Sequence, residues 1–270
     1  MSSYEAREDY MKHGMRSEDD YHASRTAVQH AAFFLPHLKP GMRLIDCGCG
    51  PGSITVGLAE HVAPGEVVGI DVDESALARA QETAARRGVD NVRFESGSVY
   101  KLPFADESFD AAFMHALLEH LGDPVAALKE MLRVLVPAGI VGVRTPDFDG
   151  FLLAPAIPEH EEWFRIALHQ HAKTGGSMYR GKHLRRLLRE AGYIGVQASA
   201  AYEIYATPEA TRERAAQQIG EDSLSGRLLQ QGVIDEGKKA QLDEGWRKWA
   251  EDPDAFLAIA WGQAVGWKAV

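Results

Sequence analysis

Cysteine is almost missing from this chain: Cys47 and Cys49 are the only two in 270 residues. Two thiols are too few to close a metal site, and two positions apart they are too near each other for an unstrained disulfide. They read as small, buried, reduced residues, and no metal is expected. Long apolar runs are missing as well; no stretch reaches the roughly eighteen apolar residues of a membrane-spanning helix, so no membrane partner is expected. The start of the chain, with Glu5, Arg7, Glu8 and Asp9 close behind Met1, lacks the apolar run of a signal peptide, which implies a cytoplasmic protein. Positive charge is in deficit: 29 Lys and Arg against 39 Asp and Glu leave a formal net charge of −10. That field repels nucleic acid, and no basic stripe with interleaved aromatics offsets it, so a nucleic-acid partner is not expected. No internal repeat or low-complexity tract is found. What is present, 45% apolar and 25% charged residues, suits a soluble globular chain long enough for one large domain or a core with an elaborate cap.

Leu44-Ile45-Asp46-Cys47-Gly48-Cys49-Gly50-Pro51-Gly52 reads as an apolar strand running into an acid and three glycines spaced two apart. A sharp turn without side chains at the carboxyl end of a strand lets a ligand lie against the main chain. Val67-Val68-Gly69-Ile70-Asp71 is a second apolar run, ending in an acid about twenty residues beyond the turn, where a carboxylate accepts ribose hydroxyls. Strand, glycine turn, helix, strand, acid is a nucleoside-binding unit. A dinucleotide fingerprint would need a further glycine where Ser53 or Thr55 stands, and Pro51 has no N–H to offer a pyrophosphate. No Lys-Ser or Lys-Thr pair follows the glycines, so a P-loop is excluded too.

Further motifs follow in order: Asn91-Val92-Arg93-Phe94-Glu95 with Gly97-Ser98-Val99, Leu102-Pro103-Phe104, Asp106-Glu107-Ser108-Phe109-Asp110, Leu118-Glu119-His120-Leu121, Asp123-Pro124, and Arg133-Val134-Leu135-Val136-Pro137-Ala138-Gly139. Together with Asp-x-Gly-x-Gly-x-Gly at residues 46–52, the series resembles the S-adenosylmethionine-dependent methyltransferases of the Rossmann-like class. It is most similar to those grouped with ubiquinone and menaquinone biosynthesis C-methyltransferases, many of which act on small natural products. The resemblance implies an α/β fold with a seven-stranded, mostly parallel sheet, its last strand antiparallel, and helices on both faces. It implies S-adenosyl-L-methionine as cofactor and methyl transfer to a small organic, natural-product or quinone-like acceptor at carbon, nitrogen or oxygen. On this resemblance Asp46, Gly48, Gly50 and Gly52 form the methionine and ribose side of the site and Asp71 clamps the ribose. Val72 and Val99 wall the adenine, Ser98 contacts it, and His115 lies beside the cofactor. Ser98 stands where the family usually has Asp or Asn. Ala138-Gly139 stands where it usually has Gly-Gly, with Gly139 expected in the left-handed position. An NAD-type oxidoreductase and a non-catalytic S-adenosylmethionine-binding protein are the alternative readings.

Residues 1–40 read as an N-terminal helical lid, in which Tyr4, Tyr10 and Tyr21 either close over the cofactor, with Tyr21 contacting it, or pack as core. Residues 41–200 read as the cofactor-binding core, with residues 146–180 as a covering segment, 201–252 as a helical insertion and 253–270 as the closing strand. Within the core, helices are expected over 54–61, from an Asp73 cap to Gly88, and from Asp123-Pro124 to about 135. Strands are expected over 140–145, 193–198 and 256–261, and a helix over 159–173 whose His160, His169 and His171 are assigned to the surface by default. Trp246 and Trp249, read as exposed, suggest a homodimer.

Methyl transfer from a sulfonium needs alignment, a water-poor pocket and, for a protonated acceptor, a base. His120 and Glu119 are candidates as an oriented acid–base pair, since a carboxylate beside an imidazole raises its pKa. The competing reading is that neighbouring helix residues face apart and Glu119 is solvated. Asp147 is either an acceptor-binding acid or a turn residue after proline.

Overall fold

The computed structural model describes residues 25–270 apart from 174 and 222. Tyr4, Tyr10 and Tyr21, and most of the lid expected over 1–40, lie outside these residues.

Five strands run parallel in the order β3 (Val92–Ser96), β2 (Val67–Asp71), β1 (Leu44–Cys47), β4 (Phe109–His115) and β5 (Leu135–Pro146). Leu44 pairs with Val67 on one side and Ala111 on the other. Continuous apolar sequence suits these strands because helices cover both faces. Side chains alternate across the sheet. Ile45 and Cys47 of β1 face a core containing Leu128 and Met131 of the helix Pro124–Val134 and Leu184 and Leu188 of Leu184–Ala191. Leu44 faces a second core with Phe34, Leu58 and Val62. Asp73 caps Glu74–Arg87 by accepting from the Ser75 N–H at 2.9 Å. Asp123 caps Pro124–Val134 by accepting from Ala126 N–H at 2.9 Å. Both starts are as the sequence indicates.

The last strand, β8 (Phe256–Trp267), is antiparallel to β5, as expected. On its other edge β7 (Ile194–Tyr205) runs antiparallel to it and therefore parallel to β5. The sheet has eight strands rather than seven. The addition is β6 (Leu152–Ala154), which pairs with Phe256 to Ala258 on the edge of β8 that β5 has just left.

This topology fixes where the insertion sits. Because β7 ends at the same edge of the sheet as β1, β2, β4 and β5, the chain leaves it above their carboxyl ends, where open α/β sheets bind ligands. It continues to Tyr205 instead of stopping near 198, and the helices of the insertion begin at Pro208. Three helices, Pro208–Gln217, Leu224–Gln230 and Glu236–Glu251, then join Pro158–Lys173 in a cap. The cap has its own core of Trp163, Leu228, Leu242, Trp246, Trp249 and Trp261.

Three expectations are corrected here. Trp246 and Trp249 are each 1% exposed, and Trp249 Nε1 donates to Ala154 O at 2.9 Å, so neither offers a dimer surface. Their helix turns its apolar side to Pro158–Lys173 instead. His160 is likewise buried, its ring 4.4 Å from that of Trp246. The left-handed residue before β5 crosses the sheet is Ala138, at φ 60°, and not Gly139. Among the described residues no helix is long and apolar enough to cross a membrane.

Candidate active site

The turn after β1 uses its glycines for different purposes. Gly48, Gly50 and Gly52 all have left-handed backbone, at φ 77°, 50° and 77°. A Cβ on Gly48 would come within 2.9 Å of Leu117 Cδ2, and one on Gly52 within 2.7 Å of Ala80 Cβ; one on Gly50 would meet nothing within 4 Å. Gly48 and Gly52 thus let the turn pack against protein, while Gly50 keeps a bare face open. Gly50 N donates to Asp71 Oδ2 at 2.8 Å, and Asp73 N donates to Asp71 Oδ1 at 3.0 Å. The acid at the end of β2 is thereby held against the turn, with lone pairs left over for a ligand.

Asp46, Gly48, Gly50, Asp71 and His115 line one cavity, of about 800 Å³. Gly52 is not part of that lining and packs against Ala80 and Phe94 instead. Val72, Ser98 and Val99 are outside its lining: Val99 is buried in the sheet core, and Ser98 Oγ accepts from Tyr100 N at 3.3 Å. Thr55 Oγ1 donates to Asp46 Oδ2 at 2.6 Å. Burial pushes the Asp46 carboxyl up to about 7, against the pull of the Thr55 hydroxyl and with help from the Asp71 charge. Burial also raises Asp71, while the N–H groups of Asp73 and Gly50 pull it down. A bare main-chain face flanked by a carboxylate fits the nucleoside of a cofactor.

A second cavity, of about 930 Å³, opens beside the first and shares Arg25 and Ala116 with it. Ala116 follows β4 with a left-handed φ of 53°, an uncommon conformation for a residue with a side chain. Glu119 and His120 both line this second cavity. The short turn Leu118–His120 brings them to one side, so Glu119 is buried rather than solvated. Glu119 Oε2 accepts from Thr145 Oγ1 at 2.7 Å, and burial raises its carboxyl despite that bond. Glu119 Oε1 is 3.9 Å from His120 Nε2, and the His120 ring lies 5.0 Å from that of His171. His171 lines the cavity and is half-buried, not a surface residue. Phe148, Phe151, Trp163 and Trp261 supply aromatic walls.

Asp147 has another occupation. Its carboxylate accepts from Lys182 N at 2.7 Å and Asp149 N at 3.2 Å, and it is not among the residues lining either cavity. It ties the chain after β5 to the loop before Leu184–Ala191. The sequence reading omitted Arg25, Arg79, Ala116 and Leu117 of the first cavity and Arg214 and Arg227 of the second. None carries a local pattern; only the fold brings them together.

The methyltransferase domain family matches residues 38–197, and the chain belongs to it. An uncharacterized methyltransferase of Schizosaccharomyces pombe is 33% identical over 258 residues, covering 90% of this chain and 91% of that protein. Demethylmenaquinone methyltransferase of Staphylococcus aureus is 40% identical over 105 residues, 38% of this chain and 43% of its own length. Haemonchus contortus phosphoethanolamine N-methyltransferase 2, solved with phosphomonomethylethanolamine and S-adenosylhomocysteine, superposes with a TM-score of 0.57 at 18% identity, over 90% of this chain and 53% of that one. That likeness is one of fold. The protein is a methyltransferase with a Rossmann-like sheet.

Proposed function

We propose that this methyltransferase binds S-adenosyl-L-methionine between the glycine turn and Asp71 and delivers the methyl group to a small organic acceptor in the adjoining cavity under the cap. The observation that carries the reading is the junction of the two cavities at Ala116 and Arg25, one with a bare main-chain face and a ribose-competent acid, the other with a titratable pair and aromatic walls. When bound, the cofactor supplies an electrophilic methyl on a sulfonium, so the reaction is a direct displacement helped chiefly by alignment. Gly50 presents its open face to the nucleoside and Asp71 accepts the ribose hydroxyls. His115 packs beside the donor side. His120 takes the proton of a protonated acceptor, and Glu119, held by Thr145, orients that imidazole. Asp147 supports the pocket through Lys182 rather than touching the acceptor. The free, buried thiols of Cys47 and Cys49 favour the reducing cytoplasm as the place of work.

The test is to incubate the enzyme with methyl-labelled S-adenosylmethionine and, separately, with small-molecule, protein and nucleic-acid fractions of a cell extract. Label entering the small-molecule fraction is expected. Label confined to protein or nucleic acid would contradict the reading.

A further inference from the structure

We propose that the Ala116 side chain is a steric gate between the two cavities and limits the size of the group that passes across it; this rests on the function proposed above and assigns a residue that sets its acceptor specificity.

Among the described residues, three other than glycine have left-handed backbone: Glu107, Ala116 and Ala138. Glu107 and Ala138 are exposed, whereas Ala116 is half-buried and lines both cavities. Glycine would take this backbone without the crowding of Cβ against a carbonyl oxygen that any side chain incurs. A side chain retained in such a conformation between two cavities points to a use for that side chain.

The turn is fixed on both sides. Ala116 N donates to Arg144 O at 2.9 Å, which follows directly on the pairing of His115 with Arg144 at the end of β4. The chain then reverses, and Leu117 reaches the glycine turn, its Cδ2 2.9 Å from where a Gly48 Cβ would stand. Leu117 O accepts from His120 N at 2.9 Å, closing the short turn that carries Glu119 and His120 to the second cavity. The Ala116 methyl is left against the aromatic core of the cap, at the border that the two cavities share.

In a direct displacement the acceptor's electron pair forms the new bond to the methyl carbon while the carbon–sulfur pair returns to sulfur, so the acceptor has to approach opposite the sulfur. A methyl side chain at the crossing decides which acceptors can do so. One methylene more or less in a pocket discriminates by about 10–200-fold.

The experiment is calorimetric titration of the wild type, Ala116→Gly and Ala116→Asn with S-adenosylmethionine and with its S-allyl analogue, which has the same sulfonium charge and a longer group. Asparagine is the larger residue that best tolerates left-handed backbone. Each protein is judged by the ratio of its two affinities, so a change that falls on both ligands alike cancels. The wild type is expected to bind the allyl analogue about tenfold or more weakly than S-adenosylmethionine, Ala116→Gly to narrow that gap and Ala116→Asn to widen it. A ratio near one in the wild type, or a ratio that residue 116 does not move in these directions, overturns the gate and leaves the cofactor reading intact. Loss of S-adenosylmethionine binding in folded Ala116→Asn also overturns it, because the side chain would then stand in the cofactor's own place. If Ala116→Asn does not fold, the glycine ratio decides alone. If the folded wild type binds neither ligand, the cofactor reading falls and takes the gate with it.

Discussion

The His115 imidazole stacks on the Trp261 indole, ring centres 5.0 Å apart and planes 28° from parallel. His115 lines the first cavity and Trp261 the second, so this pair is part of the wall between them. On its own side Trp261 receives the Arg144 guanidinium 4.1 Å from its ring centre and donates from Nε1 to Glu203 Oε2 at 3.1 Å. The indole therefore joins β4, β5, β7 and β8 where the two cavities adjoin.

Removing it should cost the fold as well as the site. Trp261→Ala is expected to lower stability by about 3–5 kcal/mol, the range for truncating a buried aromatic side chain. Urea unfolding checks this, and a loss under about 1 kcal/mol would mean the wall collapses without strain.

Asp46 trades stability for a ligand site. Its folded carboxyl titrates at about 7 against 3.8 ordinarily, because burial disfavours the charged form. The folded state thus holds a proton more tightly than the unfolded one, and this group's contribution to stability falls as pH rises from 3.8 to about 7, then stays low. Asp46→Asn, which retains an acceptor for Thr55, is expected to stabilise the cofactor-free protein above pH 7 by on the order of 1–3 kcal/mol and to gain nothing near pH 4. Thermal unfolding across that range measures it; S-adenosylmethionine binding should weaken in the same variant.

His160 has the opposite sign. Burial lowers its pKa from 6.5 to about 4, and neither ring nitrogen has a hydrogen-bond partner among the described residues. Its contribution to stability is complete above pH 6.5 and is lost as pH falls towards 4, at about 1.4 kcal/mol per pH unit. His30, also at about 4 through burial and the neighbouring Arg144 and Arg25 charges, acts in the same direction. The stability of His160→Phe relative to the wild type should therefore rise steadily on acidification from pH 6.5 to 4. A difference independent of pH would refute the neutral buried imidazole.

Ala138 occupies a left-handed turn position with its side chain exposed. Glycine removes the Cβ conflict there but adds freedom to the unfolded chain, so Ala138→Gly is expected to stabilise by about 0.5–1 kcal/mol net. Denaturant midpoints of the two proteins decide it.

Features that live in residue type and short spacing were legible in the sequence. Gly48, Gly50 and Gly52 could be read because only glycine serves that backbone, and Asp71 because it ends an apolar run. Asp73 and Asp123 announced their helices by capping chemistry. The parallel core followed from strand and helix alternation. What the sequence hid depends on partners far along the chain. Asp147 resembles an acceptor ligand until Lys182 supplies the amide that occupies it. Trp246 and Trp249 look exposed on a polar helix until Pro158–Lys173 covers them. Leu152–Ala154 is too short to show a strand period, and Arg214 and Arg227 converge only through the packing of the insertion. Ala138 was within reach, since it stands where the first glycine of the family turn stands.

The most direct measurement is calorimetric titration of S-adenosylmethionine and S-adenosylhomocysteine into the wild type and Asp71→Ala. Both ligands should bind the wild type, and the substitution, by removing the carboxylate at the end of β2 and the anchor of Gly50, should weaken them about tenfold or more, at least ~1.4 kcal/mol. Absence of binding by either ligand to the folded wild type would contradict the account.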